Sequence, residues 1–187
     1  MPEFVNKGSA ISGGSMTVAK AKAGSEEGQA KHVELKGGQS YFLSAEGREA
    51  LEFLQTYSGN GMKGTFPAGA VLYSRQPRDL LEKDGYHFKD TDVRWVTSNP
   101  LPGTLPPDMF KLAQAITTDL KGGKLVVFDA AEYAVTQSDY RGFLFMAQLM
   151  YDILPDCSGA LVLSVDEKAL GEQESHMLMR SAELNEL

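Results

Sequence analysis

The amino-acid sequence predicts an α/β domain: a three-layer sandwich with a mainly parallel five-stranded sheet between two layers of helices. Three observations carry this. Strand-like and helix-like segments alternate five times from Ser40 onward. Three of the strand segments, AVLYS, KLVVFD and ALVLSVD, are almost wholly apolar, which is the composition of strands covered on both faces and hence of a parallel sheet. Glycine and proline punctuate the joins, and right-handed crossovers leave few topologies.

The elements follow in order. SYFLS (Ser40–Ser44) is the first strand. Ala50, Phe53, Leu54 and Tyr57 then recur at helical spacing, with Gly59 and Gly61 as stop signals. AVLYS is the second strand. Pro77, whose ring presets φ and which has no N–H to leave orphaned, opens a short helix through Leu80 and Leu81 that Gly85 ends. DVRWV is the third strand, halted before a proline- and glycine-rich loop from Pro100 to Pro107. Asp108 to Leu120 reads as an amphipathic helix with Met109, Leu112, Ala113, Ile116 and Leu120 on one face, closed by KGG. KLVVFD is the fourth strand. Tyr140, Phe143, Leu144, Ala147, Tyr151 and Leu154 mark the longest helix, which Pro155 ends. ALVLSVD is the fifth strand, and Asp166 is suited to cap a last helix carrying Leu170, Met177 and Leu178.

Residues 33–187 are expected to form a single α/β domain. Residues 1–32 are small, polar and glycine-rich and cannot bury enough surface to offset their ordering entropy, so they are expected to be a flexible tail. Its first part, MPEFVNKGSAISGGS, reads as vector-derived sequence ahead of a native start at Met16. The net charge of −7 and the scatter of Lys and Arg argue against nucleic-acid or anionic-membrane partners, which need basic patches. A single cysteine, Cys157, excludes an internal disulfide framework. No apolar run reaches the ~20 residues of a membrane span. A cytoplasmic location is the expectation.

Open α/β sheets bind ligands beyond the carboxyl ends of their strands. Those ends supply the candidate ligand-binding residues: Ser74 and Arg75, Ser98 and Asn99, and Asp129, Glu132 and Tyr133. Asp129 stands where many nucleotide hydrolases keep a metal-side acid. The chain nevertheless lacks the GxxxxGK[ST] loop whose amides cradle phosphate; RQPRDLL follows the second strand, and GNGMKG (Gly59–Gly64) precedes a strand. Asp129 is therefore expected to accept hydrogen bonds from neighbouring loop amides or hydroxyls, with Arg75 within reach of one carboxylate. The histidines, His32, His87 and His176, have no ligand spacing, and neither metal nor cofactor is expected. No catalytic residue emerges. Trp95 reads as core, and Met146, Met150, Met177 and Met179 as core filling or an adaptable contact surface.

In sum of motifs the chain resembles the archaeal domain-of-unknown-function family numbered 835. The resemblance spans roughly Leu35 to Arg180 and rests on GGQSYFL, SRQP, WVTS, FDAAEY followed by Tyr140 and Asp152, and VDEKAL. Departures are Ala130 where the family favours Gly, Ser138 near Tyr140 where Asn-x-Phe is usual, and Glu167 where Pro is common. The resemblance implies a Rossmann/RecA-like fold without a phosphate loop and association with sensor and histidine-kinase modules. The leading expectation is a non-catalytic signalling or regulatory protein-interaction domain of an archaeal sensor-type system, with a protein partner or signalling module and weak homodimerisation. The alternative is a small-ligand or nucleotide-binding sensor without turnover, and a cryptic NTP hydrolase ranks third.

Overall fold

The computed structural model describes residues 16–18, 31–33, 35–44, 48–59, 66–170, 174, 176–178 and 185–186. Two short strands, β1 (Met16–Val18) and β2 (Lys31–Val33), pair antiparallel in a sheet of their own, with Thr17 opposite His32. The rest of the 1–32 stretch lies outside the described residues.

The main sheet contains β3 (Ser40–Ser44), β4 (Ala70–Ser74), β5 (Thr91–Trp95), β6 (Leu125–Asp129), β7 (Ala160–Val165) and β8 (Asn185–Glu186). Their spatial order is β5-β4-β6-β7-β3-β8, and every pairing is parallel. The five expected strands are β3 to β7. The sixth, β8, adds only two residues beside Tyr41 and Phe42 and is too short to leave a period in the sequence.

The connecting helices are α1 (Glu49–Gly59), α2 (Arg78–Lys83), α3 (Met109–Lys121), α4 (Ala131–Gln137), α5 (Tyr140–Ile153) and α6 (Glu167–Leu170). Alternation along each strand sends side chains to opposite faces. Leu72, Val127 and Val162 pack with Leu54 of α1 and Leu81 of α2. Val71, Phe128 and Leu163 pack with Ile116 of α3, Ala134 of α4 and Phe143 of α5. These are the three layers. β4, β6 and β7 have no exposed core-face position along their apolar runs, which is why those segments carry no polar alternation.

Most boundaries follow local chemistry. The Asp108 carboxylate accepts from the N–H of Lys111 and starts α3, and the Asp139 carboxylate accepts from the N–H of Gly142 and starts α5. Gly85 has φ +92°, a left-handed conformation that ends α2 at no steric cost. Gly159 is required for another reason: a Cβ there would lie 2.4 Å from the Lys124 carbonyl oxygen and 2.7 Å from that of Leu120. Helix α4 was not signalled by the sequence. It has no side-chain cap, and it buries only the small Ala131 and Ala134.

One polar cluster sits inside this core. The Asp119 carboxylate, 4% exposed near the end of α3, accepts from the Tyr73 hydroxyl at 2.6 Å, from Arg94 at 3.1 Å and from Lys124 at 3.1 Å. Burial, then the bond to Asp119, raises the Tyr73 phenol above its usual range. The cluster ties α3 to β4, to β5 and to the start of β6. No helix among the described residues is long and apolar enough to cross a membrane.

Candidate functional site

Strands β4 and β6 are neighbours, with Ser74 in register with Asp129. The chain leaves β4 for α2 on one face of the sheet and leaves β6 for α4 on the other. Connections that diverge in this way open a crevice at the carboxyl ends. The structure places the sequence-derived candidates around it, but in two separate groups.

The outer group is Arg75, Tyr133 and Ser98. Arg75 forms no ion pair with a carboxylate among the described residues, contrary to the expectation from sequence. Its guanidinium carbon instead lies 4.8 Å from the Tyr133 ring centroid, where an aromatic face offers a cation better compensation than an exposed acid several atoms away. The Tyr133 hydroxyl donates to Ser98 Oγ at 3.1 Å and accepts from the Ser98 N–H at 2.9 Å. The Ser98 hydroxyl contact is the main cause of a lowered phenol pKa. Trp95 is half-buried rather than core; its indole N–H donates to the Arg75 carbonyl at 2.9 Å, bracing the same rim. Asn99 is exposed, and its backbone is spent within its own loop, on Thr97 and Thr104.

The inner group is acidic. Among the described residues Asp129 accepts one hydrogen bond, from Ser164 Oγ at 3.1 Å. The donor is a hydroxyl, but it comes from within β7 rather than from a neighbouring loop. Burial pushes the Asp129 carboxyl up to about 7; the Ser164 bond opposes this, while the charges of Glu132 and Glu49 add to it. Glu132 turns away to accept from the Asp166 N–H at 2.6 Å, tying α4 to the end of β7. Glu49, at the start of α1, has one carboxylate oxygen buried without a partner. Ser74 is 3% exposed and turns back to accept from the Gln76 N–H at 3.1 Å. Glu49, Ser164 and Asp166 were outside the candidate set. Ser164 and Asp166 end a strand and were legible as such, whereas Glu49 comes from a helix start that only the fold brings near.

The loop after β4 offers no phosphate cradle. The Gln76 amide is used by Ser74, and Pro77 has none. Beyond Gly59, the Gly59–Gly64 stretch lies outside the described residues. Among the described residues, no three His, Cys, Asp or Glu side chains are grouped so as to hold a metal ion. Cys157 is buried after α5, its thiol pKa raised chiefly by burial.

A second feature lies on the helix layer. α3 and α5 run side by side and parallel: Thr117 Oγ1 meets Met150 Sδ at 3.9 Å, and a Cβ added at Gly142 would lie 3.5 Å from Met109 Cγ. Phe110 is 77% exposed on α3, and Phe145 and Leu149 are 69% and 38% exposed on α5. An open groove of about 360 Å³ runs between the helices, lined by Phe110, Gln114, Thr117, Lys121 and Leu149 among others. Met146 and Met150 are buried and fill the core, while Met177 is exposed. Phe145 and Leu149 are large apolar residues off the buried stripe of α5, four apart on one exposed face; Phe110 sits beside Met109 at a helix start, where the period is ambiguous.

Residues 62–182 match the family model described as "Protein of unknown function (DUF835)". The match begins ahead of β4 and runs past α6. No curated protein matches the chain.

Proposed function

We propose that this chain, which belongs to the DUF835 family, is a non-catalytic protein-interaction domain with a regulatory or signalling role in an archaeal sensor-type system. The observation that carries the reading is the α3–α5 face. A single exposed apolar side chain is ordinary. Two phenylalanines more than two-thirds exposed on adjoining helices, beside an open groove, mark a surface built for contact. The carboxyl edge supports the same reading from the other side. Its polar groups bond to one another: Tyr133 to Ser98, Glu132 to the Asp166 amide, and Ser74 to its own loop. The test is affinity capture from a lysate of the native cells, with wild type beside the Phe110→Ser/Phe145→Ser double variant. A specific protein held by wild type and lost from the folded variant supports the reading; identical capture by both refutes it.

One observation favours the alternative, a small-ligand sensor without turnover. Among the described residues, Glu49 presents a buried carboxylate oxygen without a partner near Asp129, whose carboxyl is pushed up to about 7 by burial. A nucleotide suits this strand-end rim poorly, since its carboxylates would repel phosphates and no cradle of amides offsets them. Calorimetry with magnesium–ATP should give no heat of binding, and thermal-shift screening against neutral and cationic metabolites tests the remainder.

A further inference from the structure

Resting on that interaction reading, we propose that the face receives a second copy of this chain, packed about a two-fold axis that runs along α3 and α5. Such an axis lays α3 of one copy on α5 of the other, pointing the same way. The register inside one chain fixes what then meets. Thr117 lies beside Met150, thirty-three residues on, and Met109 beside Gly142 keeps the same step. A residue of α3 is therefore level with the α5 residue thirty-three places later.

Phe110 comes level with position 143, where the exposed neighbours on α5 are Arg141 and Phe145. An aromatic side chain there meets one ring and one guanidinium, both favourable partners for its edge and face. Gln114 comes level with position 147, beside the exposed Gln148, and the two amides can exchange hydrogen bonds. Lys121 comes level with position 154, between the exposed carboxylates of Asp152 and Asp156. Neither Lys121 nor Asp152 makes an ion pair with another described residue, so both charges are available to a neighbour. The two-fold repeats each contact across the axis, giving two aromatic contacts at the amino-terminal end of α3 and two ion pairs at its carboxyl-terminal end. A two-fold across the helices is poorer: with Arg141 set against Asp152, it leaves Phe110 over Thr117 and Lys121 over Pro106. An unrelated partner would have no reason to match this sequence of aromatic, amide and charge.

Sedimentation velocity of the full chain over about 2–200 μM tests this, with circular dichroism to show that each variant is folded. Wild type should dimerise with rising concentration. Phe145→Ser should weaken the dimer about tenfold or more, as for a large buried aromatic anchor. Lys121→Glu and Asp152→Lys should each weaken it about two- to fivefold, and the two together should restore it, since the pair is exposed and its sign is what matters. A chain that stays monomeric throughout, or a dimer indifferent to Phe145→Ser, overturns the proposal. So does a charge-swapped double variant no better than either single one. If the chain is monomeric while capture still depends on Phe110 and Phe145, the second copy fails and the interaction reading stands. If capture is indifferent as well, both fail.

Discussion

Replacing Asp129 by Asn removes a buried charge while keeping an acceptor for the Ser164 hydroxyl, so the chain should become more stable at neutral and alkaline pH but not in acid. The folded carboxyl titrates at about 7 against an ordinary value of 3.8, chiefly because it is buried. Below about pH 4 it is protonated in folded and unfolded chains alike and has no effect. Between there and about pH 7 the unfolded chain has released its proton while the folded chain keeps it. The folded state then binds more protons, and stability falls as pH rises. Above that window both states are ionised and the loss is level. Three pKa units correspond to about 4 kcal/mol at most, and relaxation around the charge should reduce this to about 2–3 kcal/mol. Urea unfolding of wild type and Asp129→Asn at half-unit steps from pH 4 to 8.5 reads the difference directly, and other titrating groups cancel between the two proteins. A difference that is flat with pH, or a variant less stable than wild type at pH 8, would refute the reasoning. In the second case the ionised carboxylate would be a stabilising acceptor with donors beyond Ser164.

Asp119→Ala should cost about 3–5 kcal/mol in the same unfolding assay, because it leaves the Tyr73 hydroxyl and the Arg94 and Lys124 cations without their shared partner. Gly159→Ala should cost about 3 kcal/mol, since its Cβ would press on two backbone carbonyls that have nowhere to move. Tyr133→Phe should cost no more than about 1 kcal/mol, the bonds to Ser98 being exposed to water; a larger loss of thermal stability would show that the rim holds the crevice together.

The fold was legible because its strands announce themselves. AVLYS, LVVFD and ALVLSV have no polar alternation, and a segment buried on both faces can afford none. Helices α3 and α5 were equally readable from a period of about 3.6 and an aspartate at each start. α4 and β8 were not: one is capless and packs through alanines, and the other is two residues long. The candidate site was legible as a place and not as an arrangement. Strand ends gave Asp129, Ser74 and Ser98, but whether Arg75 would choose an acid or an aromatic ring depends on what α4 brings to the rim. That choice is tertiary, and it went to Tyr133. The Glu49 approach is likewise invisible in a sequence where eighty residues separate it from Asp129.

The Asp119 cluster bears on how the domain assembles. An acid in the last turn of a helix sits at the negative end of the helix dipole and weakens that turn when the helix stands alone. Here one cation, Lys124, is local, five residues on, but the other partners come from elsewhere: the Arg94 guanidinium lies twenty-five residues back on the edge strand β5, and the Tyr73 hydroxyl lies forty-six back on β4. The final turn of α3 is thus compensated locally only by Lys124, and gains its remaining partners when the β4–β5 pair is in place. Completion of the helix and closure of that sheet edge are then one event. The edge strand should be protected from hydrogen exchange to the same degree as the end of α3, and neither should open without the other.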